Sequence, residues 1–224
     1  MYFVGRNKEI SQITSALAAD RNVILRGKYG IGRSTLVRHI ADLLKLVRSF
    51  WFLDLNDTPD QLCRKILAEI CPEEKKKNLH QGYKSLRKSL CEVGARSAQK
   101  VVLVLDNVDM LTPARLDFFH FLAMPDIFSF IVIVDDSMDQ KDRELMRAVL
   151  QLTCRVSLSY LGKREVQQYF KYYAQKYHWD WSQTEIERQS RLTRGYPLFM
   201  ARRVLAGMNS NSENVSSIVE MQRP

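Results

Sequence analysis

Val23-Ile24-Leu25-Arg26-Gly27-Lys28-Tyr29-Gly30-Ile31-Gly32-Arg33-Ser34-Thr35-Leu36 decides how the rest of the chain is read. A short apolar run enters a glycine-spaced turn, and a helical pattern starts at once behind it. Strand, loop and helix in that order are the setting of a phosphate-binding loop, whose motif asks for Gly, four residues, Gly, Lys and then Ser or Thr. Gly27 and Gly32 stand at that spacing and Ser34 holds the hydroxyl position, but Arg33 stands where the lysine belongs. Glycine reaches positive φ without strain, so backbone N–H groups can approach an anion closely. Successive N–H groups in such a turn form a concave nest for phosphate oxygens. The helix that begins near Arg33 points its unpaired N–H groups and partial positive charge at the same anion. Phosphate contacts are therefore expected along Gly27, Lys28, Tyr29, Gly30, Ile31, Gly32, Arg33, Ser34 and Thr35, with Ser34 as an oxygen ligand for Mg²⁺. Arg33 keeps the charge but replaces a compact ammonium by a wide planar fork. Phosphate binding can survive that change, while the geometry for transferring a γ-phosphate is altered.

Composition narrows the class. At 224 residues and 46% hydrophobic, the chain can bury one substantial core, or a core plus a small satellite domain. No stretch approaches the ~18 uninterrupted apolar residues of a membrane helix. The opening Met1-Tyr2-Phe3-Val4-Gly5-Arg6 lacks the basic-then-apolar layout of a secretory signal. Cys63, Cys71, Cys91 and Cys154 show neither a C-x-x-C pair nor a zinc-ligand interval to a His, and read as buried thiols in a reducing compartment. A cytoplasmic protein is the expectation. The formal charge of +9 leans basic, with Lys75, Lys76, Lys77, Lys84, Arg87 and Lys88 close together in sequence. Such a cluster is either a patch that attracts nucleic acid without reading its sequence or a solvated helix face.

Along the chain, Ile10, Ile13 and Leu17 share one face of an opening helix. Leu36, Val37, Ile40, Leu43 and Leu44 repeat the pattern behind the glycine loop, so that helix should pack on a sheet. Residues 49–55 read as a second strand covered on both faces, followed by a turn whose Pro59 suits a helix start. Val101-Val102-Leu103-Val104-Leu105 is the clearest strand and ends in Asp106-Asn107-Val108-Asp109. Residues 128–134 and 154–158 give two further strands, with a helix expected from Arg143 to Leu152 between them. Strands alternating with helices in this way imply parallel β–α–β units. After Leu161 the character turns helical and aromatic, through Tyr169, Phe170 and Tyr173. An α/β domain is expected over residues 1–161, a small all-helical lid over 162–208 and a polar tail over 209–224.

A phosphate loop that serves a nucleoside triphosphatase needs an acidic residue at the end of a neighbouring buried strand, to hold Mg²⁺ or its water. Asp106 is placed for that role. Asn107 takes the next position, where many ATPases carry the glutamate that activates water. An amide cannot accept a proton as a carboxylate does. Asp109 is a further candidate, at a less apt position.

With these motifs in order, the chain resembles the AAA+ and STAND class of ATPases, from Tyr2 to about Gly207. Val4-Gly5-Arg6 looks like the opening motif that lies along the adenine in those families. Residues 27–35 are similar to their Walker A apart from Arg33, and residues 103–109 to a STAND-type Walker B. Gly195-Tyr196-Pro197-Leu198 is similar to a lid motif whose proline approaches the nucleotide, which places Pro197 in the expected site. Lys28 resembles the loop lysine of partition ATPases, which reaches a neighbour's nucleotide, or is a solvated loop lysine. The polar sensor usual after the fourth strand is replaced by Asp135-Asp136. The resemblance implies a P-loop NTPase fold, a five-stranded parallel sheet in the order 5-1-4-3-2 sandwiched by helices, with ATP or ADP and Mg²⁺ as cofactors. It implies a nucleotide-dependent switch or assembly subunit that pairs with itself or with a partner protein, its hydrolysis slowed by Arg33 and Asn107. A DNA-associated ATPase of transposition or replication type and a non-hydrolysing scaffold are the alternatives.

Overall fold

A computed structural model of the chain describes residues 2–71, 81–108, 111–124 and 126–208. In chain order the elements are α1 (Asn7–Ala18), β1 (Asn22–Gly27), α2 (Arg33–Leu44), β2 (Arg48–Asp54), α3 (Pro59–Ile70), α4 (Tyr83–Arg96), β3 (Lys100–Asp106), α5 (Pro113–Ala123), β4 (Phe128–Asp135), α6 (Gln140–Val149), β5 (Leu152–Ser157), α7 (Lys163–Lys176) and α8 (Gln183–Thr193). A last helix, α9, runs over 197–208. The strands form one parallel sheet in the order β2-β3-β4-β1-β5, the expected order read from its other edge.

Burial explains the order. In β3 Val101, Val102, Leu103, Val104 and Leu105 are all buried, and in β4 the run from Phe128 to Val134 is buried throughout. Strands apolar on both faces need helices on both faces, which only inner positions of a parallel sheet supply. β2 departs from the expectation of two covered faces. It is an edge strand, and Phe50, Trp51 and Phe52 are only half-buried. The half-buried ring of Phe52 carries the Arg38 guanidinium 4.8 Å from its centroid, and Trp51 tilts against Phe128 at 5.9 Å.

Local chemistry fixes the helix starts. Thr58 caps α3 in a reciprocal box with Gln61, and Pro59 takes the first helical position, where its missing N–H costs nothing. Asp139 caps α6 by accepting from the Lys141 N–H at 2.7 Å, so that helix starts ahead of the expected Arg143. Gln151 at φ 48° then turns the chain into β5. The four cysteines are free, and Cys63 alone among them is fully buried, burial pushing its thiol up to about 12. Cys71, Cys91 and Cys154 are partly exposed, which corrects the reading of all four as core thiols.

The chain divides into two compact units. One takes Asn7–Tyr29 and Arg33–Leu158 and carries the sheet. The other gathers the opening residues up to Arg6, Gly30–Gly32 and the described chain from Ser159 onward. The core of the second is aromatic: Val166, Tyr169, Phe170, Tyr173 and Ala174 of α7 pack with Trp179, Ile186, Met200 and Val204. Tyr2 stacks on Tyr172 at 4.0 Å, and its N–H donates to the Tyr173 hydroxyl, so the opening residues are stitched into this helical unit. Trp179 and Trp181 lie 4.7 Å apart, and the chain at Gly207 passes so close to Trp179 that a Cβ there would meet the ring at 2.9 Å. Residues 209–224, the expected polar tail, lie outside the described residues.

Candidate functional site

The carboxyl ends of parallel strands β1, β2, β3 and β4 carry the chemistry of the sheet unit. Asp54 closes β2, Asp106 closes β3 and Asp135 closes β4, with Asp54 in register with Asp106 and Gly27 of β1 in register with Asp135. The glycine loop leaves β1 at Gly27 and α2 begins at Arg33. Gly30 and Gly32 take φ of 75° and 92°, where a side chain is strained. Within the helical unit the Gly30 carbonyl accepts from the Leu198 N–H at 3.1 Å, and a Cβ on Gly30 would meet Leu198 and Tyr196 side chains at 2.9 Å. Gly32 faces open space by comparison, its nearest neighbour in that unit being the Pro197 side chain at 4.0 Å.

Ser34, in the first turn of α2, donates its hydroxyl to Asp106 Oδ2 at 2.6 Å. The other oxygen of Asp106 accepts from the Asn107 N–H at 2.9 Å. The two residues expected to flank a cation are thus brought together by the sheet and held by hydrogen bonds. Asn107 takes φ 56° and donates its side-chain amide to Asp54 Oδ1 at 3.0 Å. That bond, with the Asn56 N–H, holds the Asp54 carboxyl below its ordinary value. Asp54 is a site residue that the sequence reading missed. Its signal was available, because the last residue of a strand in a parallel sheet shares an edge with the last residue of its neighbour. Asp109 lies outside the described residues, as do Lys75, Lys76 and Lys77.

Arg33 points at β4. Its Nη1 lies 3.1 Å from Asp135 Oδ2, with both side chains mostly buried. These two atoms are buried without an aligned hydrogen bond, so each keeps an unspent valence. Asp135 Oδ1 accepts from the Ser137 N–H at 3.0 Å and its hydroxyl at 2.8 Å. Burial pushes the Asp135 carboxyl up, but those bonds and the Arg33 charge outweigh it and leave it below its ordinary value. Next door, Asp136 pairs with Arg26 at 2.7 Å on a more exposed surface. Tyr29 is 74% exposed in the loop. In the helical unit, Arg6 is buried at φ 65°, and its guanidinium donates to the Ser159 carbonyl at 2.6 Å and the Ile31 carbonyl at 3.5 Å. Gly5 approaches the Glu165 side chain too closely for a Cβ. Of the basic cluster, Arg87 is taken up by Asp117 at 2.5 Å and by the Phe121 ring at 4.0 Å, and Lys88 by Glu92 at 3.8 Å.

Among the described residues no group of three or more His, Cys, Asp or Glu is arranged to hold a metal ion by itself. A hard cation that takes one carboxylate, one hydroxyl and the oxygens of a polyphosphate needs no such cage. Ser34 and Asp106 fit that donor set. No helix among the described residues is long and apolar enough to cross a membrane.

The sequence profile of the AAA ATPase domain matches residues 2–158. Among curated protein sequences none matches the chain significantly. Solved structures do. The ORC2 protein of Aeropyrum pernix in its ADP form is 13% identical with a TM-score of 0.68, over 97% of this chain and 65% of that one. A Walker-type ATPase of Pyrococcus abyssi is 12% identical with a TM-score of 0.64, over 99% and 77%. The Aeropyrum pernix ORC1 protein in complex with DNA is 13% identical with a TM-score of 0.58, over 100% and 69%. At such identities the likeness is one of fold.

Proposed function

Since this chain belongs to the AAA ATPase family, we propose that it binds ATP or ADP with Mg²⁺ and acts as a nucleotide-dependent switch or assembly subunit whose own hydrolysis is slow. The observation that carries the reading is the 2.6 Å hydrogen bond from Ser34 to Asp106, which joins the loop hydroxyl to the acidic strand end. Gly30, Gly32, Arg33, Ser34 and Thr35 would surround the phosphates. Ser34 and Asp106 would hold Mg²⁺, which supplies charge neutralisation to the phosphates. Val4, Gly5, Arg6 and Pro197 keep the assignment toward the nucleotide that the family resemblance gives them. Slow hydrolysis is supported by Asn107, whose amide is engaged by Asp54 and cannot take a proton from water. Membership of the STAND branch, a cytoplasmic setting and self-association belong to the same reading. The test is calorimetric titration of the chain with ADP and with ATP, with and without Mg²⁺, alongside steady-state phosphate release. Micromolar binding with little turnover is the expected result, and no binding of either nucleotide ends the reading.

A DNA-associated role is the second reading. The net charge of +9 favours it, and one structure of similar fold is a complex with DNA. Retention on duplex DNA that falls steeply with salt is its expected mark.

A further inference from the structure

We propose that Asp135 sets the phosphate specificity of the site, holding Arg33 as a neutral pair so that a nucleoside diphosphate is favoured over the triphosphate. The inference rests on the nucleotide-binding reading above and adds to it which nucleotide the site prefers.

Asp135 is the last residue of β4 and Gly27 the last of β1, and the two are register partners in neighbouring strands. The backbone of Asp135 therefore stands roughly 4.8 Å across the sheet from the entry of the glycine loop. Its orientation is fixed from one side, because Ser137 donates two hydrogen bonds to Oδ1 at 3.0 and 2.8 Å. That leaves Oδ2 presented to Arg33 Nη1 at 3.1 Å. In this motif the residue at the Arg33 position reaches the β- and γ-phosphates, so whatever compensates Arg33 acts at that end of the ligand. A lysine there offers an uncompensated cation, whereas here the cation arrives already matched by a buried anion. Nη1 and Asp135 Oδ2 are themselves closed to solvent, so a ligand meets Arg33 through the 14% of its side chain that stays exposed, with Asp135 still paired behind it. The pair then adds hydrogen bonding to the ligand but almost no net charge. A second fixed carboxylate, Asp106, faces the same region through Ser34. Each further negative charge on the ligand is thus less welcome than it would be beside a free cation, and the triphosphate carries the greater number.

The experiment is isothermal titration of the chain with MgADP and MgATP, for wild type, Asp135→Asn and Asp136→Asn. Wild type is expected to bind ADP more tightly than ATP. Asp135→Asn removes one charge while keeping shape, and should move the ATP-to-ADP affinity ratio toward ATP by roughly tenfold, as expected for a unit charge about 10 Å or less away. Asp136→Asn, which loosens only the exposed pair with Arg26, should leave the ratio where it was. An unchanged ratio in a folded Asp135→Asn that binds both nucleotides overturns the proposal and leaves the nucleotide site standing. Wild type that prefers ATP overturns it without any variant. Wild type that binds neither nucleotide removes the proposal and the underlying reading together. Asp135→Ser replaces the Asn variant should the latter disturb the fold.

Discussion

Arg33 and Asn107 act on different terms of one reaction. Arg33 changes how positive charge meets the phosphoryl group, where the transition state gathers charge over its equatorial oxygens. Asn107 removes the nearest group that would orient and deprotonate water, and such assistance is typically worth ~10²–10⁴-fold in rate. Arg33→Lys with Asn107→Glu is expected to raise phosphate release by at least ~10²-fold while nucleotide affinity changes little. Steady-state assays of wild type, both single variants and the double variant check this, with Asp106→Ala in each background as control. Brisk turnover by wild type would contradict it and direct attention to Asp54, Asp109 or a neighbouring subunit. Gly32→Val is the second expectation at this scale. A branched side chain at φ 92° costs on the order of 1–3 kcal/mol in backbone strain and fills the space in front of the nest. Nucleotide binding should disappear while far-ultraviolet dichroism shows a folded chain, and unchanged affinity would take the loop out of the site. The departure at Arg33 was legible in sequence because the motif is local. Its partner Asp135 was not, since their meeting depends on the β1–β4 register, which the sequence does not print.

Elements carry two further expectations. Gly94 lies buried in α4, and a Cβ there would meet the Phe128 ring at 2.5 Å. Alanine is the better helix former, yet Gly94→Ala should destabilise by about 1–3 kcal/mol through overpacking. Denaturant unfolding measures this, and Gly94→Ala with Phe128→Leu should recover part of the loss. Rigid packing at that helix is refuted if Gly94→Ala alone stabilises. At the amino ends of the strands, Asp20 takes Lys100 at 3.0 Å and Arg48 at 3.1 Å, joining the end of α1 to the starts of β3 and β2. Those two partners, Lys100 first, hold its carboxyl below 3.8. A depressed folded value means that the unfolded chain binds the proton first as pH falls. The contribution is then complete above the unfolded value and is lost as pH drops through the folded one. Asp20 is 55% exposed, so the effect is worth no more than about 1 kcal/mol. The melting-temperature gap between wild type and Asp20→Asn should shrink progressively as pH falls below about 4, and a gap that does not change with pH across the acid range would deny the pairing its role. Most elements were readable because their apolar periods are strong. β2 was misjudged because Phe50-Trp51-Phe52-Leu53 is as apolar as an inner strand, and only the sheet order reveals an edge. The start of α6 was missed because its cap, Asp139, lies in a polar stretch where no apolar stripe marks the first turn.

For the molecule as a whole, sheet order followed from the family likeness and not from periodicity, since parallel strands of equal hydrophobicity carry no mark of their neighbours. The net charge of +9 makes one expectation at this scale. If the chain meets DNA, retention on duplex should fall log-linearly with salt, and replacing Lys75, Lys76 and Lys77 by Gln should flatten that slope by about 2–3, one counterion per lost contact. Absence of retention by wild type at low salt would set the DNA reading aside. The division into a sheet unit and a helical unit also sorts the three tryptophans, Trp51 falling in the first and Trp179 with Trp181 in the second. Indoles 4.7 Å apart share their excitation, so the Trp179–Trp181 couple should give a paired near-ultraviolet band that Trp51, beside Phe128, cannot give. Trp51→Phe therefore yields a chain whose light comes from the helical unit alone, and Trp179→Phe with Trp181→Phe yields one that glows only from the sheet. Followed through heating, the two report in separate optical channels whether one chain melts as a single body or as two.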